Sequence, residues 1–504
     1  MGPLAGDGGR DGFRFGAASA GTQIEDANPN SDWYAWTAPM PDGLGKGTFI
    51  GDASRGYAMA LEDNQLVKTL GLDSYRFSIE WARIEPQRDV IDEAAIAHYR
   101  DVLMGLRAMG IRPLVTVHHF SNPVWIADPR AISCPDGPTP QNLCGLGHPI
   151  GGPLVIEEMA QHAALLARRF GDLVDEWGTV NEPINYLFAA YGVAAFPPGK
   201  TSVLALTTEF VPVVRDYVTA SAKIYDAIKA NDTIDADGDG VAAVVGFSIS
   251  VADWEPARGG MPSQRLEDLA ARDRLVYLFH YVFVDSILNG TFDANLDGVP
   301  DEPHPEWQGR VDWLGLQYYF RAGVTAAPAV LPDPVSLTPC TQGFDFGSCL
   351  QTPQPTFCVP RMGYEFWSDG LRPILLAFSA RYPKLPLVVT ESGIATEVGA
   401  RRAEAIVRIL EAIASAREAG ADVRGYYHWS LTDNFEWAEG FVPRFGLFHV
   451  DYAGSYARTP TEGADVLGEI AHTRTVTSDQ GVHYGGLGPM TPEPITTDAF
   501  CAKP

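Results

Sequence analysis

Two short stretches of this chain end a run of strand-forming residues on a carboxylate. "TVNEP" (179–183) sets Asn181 beside Glu182 and then stops at Pro183, and "LVVTESG" (387–393) sets Glu391 before a serine and a glycine. A strand end fixes a side chain on a rigid element, and the turn residue after it frees that side chain from the ladder. A single glutamate in such a place is ordinarily a surface residue. Two of them brought to one mouth can divide proton transfer and nucleophilic attack between them.

The neighbouring text is aromatic and polar. "VHHF" (117–120), "LQYYF" (316–320) and "YYHWSLTDNFEW" (426–437) each run off the end of a strand-like segment. Aromatic faces beside amide, imidazole and carboxylate groups suit a sugar ring, whose C–H faces stack while its hydroxyls need paired donors and acceptors. Taken singly, each His or Trp reads as a satisfied structural residue; together, at strand ends, they point to a carbohydrate site. Cleaving an acetal between sugars passes through an oxocarbenium-like state, with one carboxylate at the anomeric carbon and a proton donor at the leaving oxygen. A nucleophilic pair stands about 5 to 5.5 Å apart, and an inverting pair is wider to admit water.

Eight strand candidates would position these residues: 13–19, 74–79, 112–118, 176–180, 243–250, 312–317, 385–390 and 423–429. Amphipathic stretches lie between them, among them 91–110, 154–171 and 399–420, with apolar residues at three- and four-residue spacing. Strands alternating with helices imply a parallel sheet, and eight such units close most simply into a single (β/α)8 TIM barrel with long βα loops. Glu182 then ends the fourth strand and Glu391 the seventh, both at the C-terminal mouth. An open doubly wound sheet is the alternative, but no GxGxxG turn follows a first strand. The expected layout is a disordered segment over 1–12, a catalytic barrel over 13–475, and an extension over 476–504 packed on the barrel.

The 504 residues, 46% hydrophobic, suffice for a large core. A net charge of −26 argues against a nucleic-acid phosphate backbone or an anionic membrane as partner and suits a neutral small-molecule ligand. No apolar run approaches the ~20 residues of a membrane span. The opening "MGPLAGDGGRDG" has no basic-then-apolar signal-peptide pattern and is compatible with the trimmed start of a mature form. Six cysteines, at 134, 144, 340, 349, 358 and 501, fall in loop text, with Cys134 and Cys144 flanking one loop as the expected pair. They favour an oxidising compartment, secreted or periplasmic. Zinc is disfavoured, since there is no CxxC and no histidine cluster at ligand spacing. Composition leaves the oligomeric state open.

The motifs "FRFGAASAGTQIE", "YRFSIEWARI", "TVHHFSNP", "TVNEP", "GLQYY", "VVTESG" and "HWSLTDNFEWAEGFVPRFGLFHVDY" span nearly the whole chain, and in combination the sequence resembles glycoside hydrolase family 1, the retaining β-glycosidases typified by β-glucosidases. The resemblance implies double displacement through a covalent glycosyl-enzyme intermediate, without a cofactor, on small β-glycosides. It implies Glu182 as acid/base and Glu391 as nucleophile, with Arg76 and Tyr319 contacting the Glu391 carboxylate. It also implies Gln23, His119, Asn181, Glu436 and Trp437 as hydroxyl-binding residues and Trp429 as hydrophobic floor. Phe120, Gln317 and Phe445 complete the expected sugar-binding set. Gln317 stands where the family usually has Asn, Phe120 where it has Trp, and Ser392 where it has Asn. Glu436 disfavours a 6-phosphorylated sugar, because a carboxylate accepts from hydroxyls but repels phosphate. Other readings are a sugar-binding relative that has lost catalysis, a 6-phospho-β-glycosidase and a transglycosylase.

Two acidic loops fall outside this account. "DADGDG" (235–240) and "DANLDGVPDE" (293–302) place Asp235, Asp237 and Asp239, and Asp293, Asn295, Asp297 and Asp301, at spacings that can wrap a structural Ca²⁺. Both lack the twelfth-position Glu of a full EF-hand loop, and a solvated acidic turn is the competing reading. Each precedes a strand, on the barrel face opposite the expected site.

Overall fold

The computed structural model describes residues 12–26, 28–341, 345–352, 354–494 and 501. The segment expected to be disordered lies outside them up to residue 11.

Eight strands form the barrel: β1 Arg14–Ala18, β2 Ser74–Ser78, β3 Arg112–His118, β4 Glu176–Asn181, β5 Val244–Arg258, β6 Trp313–Thr325, β7 Leu387–Ser392 and β8 Val423–Trp429. All neighbours pair in parallel, β1 pairs β8, and β5 pairs β6, so the ring is closed. Strands buried on both faces need no polar alternation, which is why they read as near-continuous apolar runs. The eight segments anticipated from sequence are these eight strands. β5 and β6 run well past 250 and 317 because their upper halves continue to pair above the rim, from Asp253 opposite Arg321 to Pro256 opposite Val324.

One long helix follows each strand: α1 Ala60–Thr69, α2 Glu93–Ala108, α3 Gly151–Phe170, α4 Val211–Asn231, α5 Leu266–Val276, α6 Leu371–Arg381, α7 Gly399–Glu418 and α8 Glu462–Thr473. α2 starts where the Asp92 side chain accepts the N–H groups of Ala94 and Ala95, replacing bonds that the first turn cannot make internally. Inside the barrel the layers are filled by side chains of fitted size. At Gly315 an added Cβ would meet Ser248 Oγ at 2.4 Å and Thr390 Oγ1 at 2.6 Å, so glycine is required there by space.

Beyond α8, a short helix α9 (Ser478–Tyr484) and the residues after it run along α7. Arg408 donates to the Gly488 carbonyl at 2.7 Å and Glu404 accepts the Thr491 N–H at 2.8 Å. Three disulfides link Cys134–Cys144, Cys340–Cys349 and Cys358–Cys501; the first is the pair expected from sequence. Among the described residues no helix is long and apolar enough to cross a membrane.

Candidate active site

Glu182 immediately follows β4 in the left-handed region, φ 38° and ψ 62°, and Pro183 then opens the short helix Pro183–Leu187. That backbone is costly for a non-glycine residue, about 1–3 kcal/mol, and is held by the Glu182 N–H donating to the Ser248 carbonyl of β5 at 2.8 Å. Phe120 and Trp437 also have positive φ, at 62° and 48°. Three strained residues thus ring one cavity. Each carboxylate also sits beside an irregularity in the ladder. Gly178 pairs Gly246 while Asn181 pairs Ser248, and Val389 pairs Leu316 while Glu391 pairs Gln317. The extra residue in β4 and in β7 is a bulge, which re-aims the side chains that follow it.

The cavity has a volume of about 260 Å³ and is lined by Glu182, Glu391, Tyr319, Gln23, His119, Phe120, Asn181, Trp429, Glu436, Trp437 and Phe445. Two of the anticipated residues, Arg76 and Gln317, are not on its wall; they lie behind it and hold the groups that are. Arg76 Nη1 bonds Glu391 Oε1 and its Nη2 donates to Asn181 Oδ1 at 2.6 Å. Gln317 Nε2 donates to Glu391 Oε1 at 2.7 Å and to Asn181 Oδ1 at 2.8 Å. The Gln317 amide nitrogen is thereby occupied within the protein. Tyr319 donates to Glu391 Oε2 at 2.7 Å, and burial, with the Glu391 charge, raises its hydroxyl so far that it keeps its proton. Asn181 receives both donors on its oxygen, which leaves its amide nitrogen to meet a ligand.

The two carboxyls therefore differ in environment. Glu391 accepts from three donors, whereas Glu182 Oε2 accepts from Asn185 Nδ2 at 2.6 Å, with Ser250 as a further partner. Burial and then the negative charge of Glu391 push the Glu182 carboxyl up to about 8. Burial also raises Glu391, against the pull of Arg76 and the Tyr319 hydroxyl. Of two coupled acids, the one surrounded by donors ionises first.

Elsewhere on the cavity wall, Asn434 Nδ2 donates to Glu436 Oε2 at 2.8 Å and Gln23 Nε2 to the same oxygen at 3.3 Å. Burial foremost pushes Glu436 up to about 8. His119 lies nearly parallel to Trp429 and Trp437, and burial together with Arg76 lowers its pKa until it is neutral. Gln23 Oε1 and His119 Nδ1 have no partner within the protein; buried polar atoms of this kind are normally satisfied. Phe445 packs edge-on to Tyr319.

Sequence reasoning did not single out Asn185 or Ser250. Asn185 was legible only as the residue one helical turn past Glu182, and Ser250 as a polar break in an apolar strand. A second, outer chamber of about 630 Å³ shares Asn185, Phe320, Met362, Tyr364 and Glu439 with the cavity, and both Cys340 and Cys349 line it. The Cys134–Cys144 loop lines a separate hollow that shares none of these residues.

A search of protein families matches residues 8–476 to the model described as glycosyl hydrolase family 1. The chain belongs to glycosyl hydrolase family 1. Among family 1 relatives, a beta-galactosidase of Pyrococcus woesei is 29% identical over 92% of this chain and 97% of that protein. A coniferin beta-glucosidase of Pinus contorta is 29% identical, covering 89% of each. The solved beta-glycosidase from Pyrococcus horikoshii superimposes with a TM-score of 0.77 at 28% identity, covering 96% of this chain and 99% of that one. As a family 1 enzyme the protein is a glycoside hydrolase, a retaining β-glycosidase that works by double displacement through a covalent glycosyl-enzyme intermediate on small β-glycosides and needs no cofactor.

Proposed function

We propose that the enzyme is an exo-acting β-glucosidase in which Glu391 is the nucleophile and Glu182 the acid/base. The assignment rests on one observation, the unequal company of the two carboxyls around a single cavity. Glu391, held by Arg76, Gln317 and Tyr319, is kept as the carboxylate. It attacks the anomeric carbon as the glycosidic C–O bond breaks, and Glu182, which carries the proton, delivers it to the leaving oxygen. The glycosyl ester removes the Glu391 charge, so the Glu182 carboxylate, now without its proton, acts as base: it takes a proton from water, whose oxygen bonds the anomeric carbon as the ester bond breaks and releases Glu391 as the carboxylate. Two inversions give net retention.

The glycone is a neutral pyranoside. Gln23, His119 and Glu436 present acceptors and donors to its outer hydroxyls, Asn181 Nδ2 faces the 2-hydroxyl, and Trp429, Trp437, Phe120 and Phe445 pack its apolar face. Gln317 acts through Glu391 and Asn181 as a positioning residue. The aglycone occupies the outer chamber. The barrel over 13–475 is the catalytic unit, with 476–504 an extension upon it. Disulfide bonding of all six cysteines, with none free, supports a secreted or periplasmic location.

A panel of p-nitrophenyl β-glycosides tests the reading. The wild type is expected to prefer the glucoside and to reject its 6-phosphate, and Glu391→Gly to lose turnover by several orders of magnitude. A Glu391→Gly variant with wild-type turnover overturns the nucleophile assignment.

A further inference from the structure

The acidic loop at 235–240 takes no part in this chemistry. It joins the end of α4 at Asn231 to the start of β5 at Val244, at the end of the barrel away from the cavity. Its Asp235, Asp237 and Asp239 occupy the first, third and fifth positions of a calcium-type loop, with Gly240 sixth. The Asp235 carboxylate accepts the N–H groups of Gly238, Asp239 and Gly240, which curls the loop. An acidic turn alone would be no site.

The fold adds a residue that the loop pattern could not indicate. Asp175, just before β4, brings a carboxylate oxygen into a group in which the ligand atoms of Asp175, Asp235 and Asp237 all lie within 4.8 Å of one another. Asp175 is only 3% exposed. Its Oδ1 accepts the Ala236 N–H at 2.7 Å, but its Oδ2 has no partner within the protein. A buried carboxylate oxygen without a donor is rare and destabilising. Burial pushes this carboxyl up to about 6, against the Ala236 N–H, and the Asp237 charge adds to the rise. Two cations face the cluster: Arg112 bonds Asp237 Oδ2, and Arg107 bonds the Ala236 carbonyl. Against Asp175, Asp235, Asp237 and Asp239 they leave an excess of negative charge.

We propose that Asp175, Asp235 and Asp237 form a structural Ca²⁺ site. Two oxygens on opposite sides of a calcium ion, each about 2.4 Å from it, are about 4.8 Å apart; the three oxygens all lie within that diameter of one another, as ligands of one ion must. The donors are all hard oxygens, with no imidazole or thiolate to favour zinc. The Val241 carbonyl stands at the seventh loop position, where such loops supply a backbone ligand. The ion gives Asp175 Oδ2 its missing partner and ties the loop before β5 to the foot of β4. The second acidic loop carries no such inference, because its buried carboxylate is already satisfied: Asp293 accepts from the Tyr277 hydroxyl and from the N–H groups of Asp297 and Gly298.

The test uses the full chain, stripped with EDTA and titrated with CaCl2 by calorimetry, with melting followed in Ca²⁺ and in equal Mg²⁺. The expected result is a binding heat and a Tm rise of about 2 °C at ~50-fold excess over the dissociation constant, larger than with Mg²⁺. Asp175→Asn keeps the bond to Ala236 yet weakens Ca²⁺ binding at least tenfold. Asp235→Asn, on the exposed side of the loop, does the same if the buried variant folds poorly. Turnover of an aryl glucoside at 25 °C is unchanged in both. Absence of heat and of a Tm rise in the wild type overturns the proposal, as does an undiminished Ca²⁺ effect in both variants, which would place the ion in another loop.

Discussion

Tyr319→Phe removes one hydroxyl and little else, since the ring keeps its volume and its contact with Phe445. The lost interaction is the donation to Glu391 Oε2 at 2.7 Å; Arg76 and Gln317 still hold Oε1. A hydrogen bond to a charged group contributes about 1.5–3 kcal/mol. This bond favours the carboxylate over the acid, so its loss raises the Glu391 pKa by about 1–2 units. The nucleophile must be ionised, so the acid limb of kcat/KM moves to higher pH by that amount. On the plateau, where the ground-state part of that bond is already counted in the pKa, what remains is transition-state orientation, and kcat/KM falls by about tenfold. The assay is a pH profile of p-nitrophenyl β-glucoside hydrolysis from pH 4 to 9, with the melting temperature as a control on folding. A variant whose acid limb stays in place at wild-type plateau activity would refute the placement of Tyr319 on the nucleophile, and with it the argument that donors decide which glutamate attacks.

Glu182 must carry its proton for the first step, so with alkyl or p-nitrophenyl glycosides kcat/KM is expected to fall as pH rises through about 8, where Glu182 titrates. Glu436 also titrates at about 8. A 2,4-dinitrophenyl glucoside, whose leaving group needs no proton, separates the two: it loses only the Glu182 part of the limb, and a limb identical for both substrates would assign it to Glu436 alone. The disulfides should rank by loop length. Cys358–Cys501 closes a separation of 143 residues and Cys340–Cys349 one of 9, which in the chain-entropy picture is about 5 against about 2.6 kcal/mol. Replacing both cysteines of the long pair by serine should lower Tm by about 5 °C, and of the short pair by about 2–3 °C. Equal shifts in scanning calorimetry would sink that ranking.

Much of the fold was legible because a parallel barrel writes itself into sequence twice, as apolar runs buried on both faces and as three-and-four periodicity between them. That gave eight strands at the right places, and it gave Glu182 and Glu391 as strand-end carboxylates. It could not give the length of β5 and β6, since their pairing above the rim is a long-range contact with no local signal. Nor could it separate cavity wall from support. Arg76 and Gln317 belong to the same motifs as their neighbours, and only packing shows that they stand behind Asn181 and Glu391.

The sequence alone determined which chemical groups are available: two carboxylates on rigid strand ends, an aromatic and amide retinue, and an acidic loop of calcium-like spacing. Tertiary structure decided what each group does. Strict alternation along a strand does not account for the aim of Asn181 or Glu391; the bulges in β4 and β7 and the left-handed turn at Glu182 set it, and these exist only once neighbouring strands pair. Charge was decided in the same way, because a glutamate's pKa depends on burial and on the donors that meet it. Arg76 reaches Glu391 from β2 and Gln317 and Tyr319 from β6, and Asp175 meets the acidic loop only when the end of α4 returns to the foot of β4.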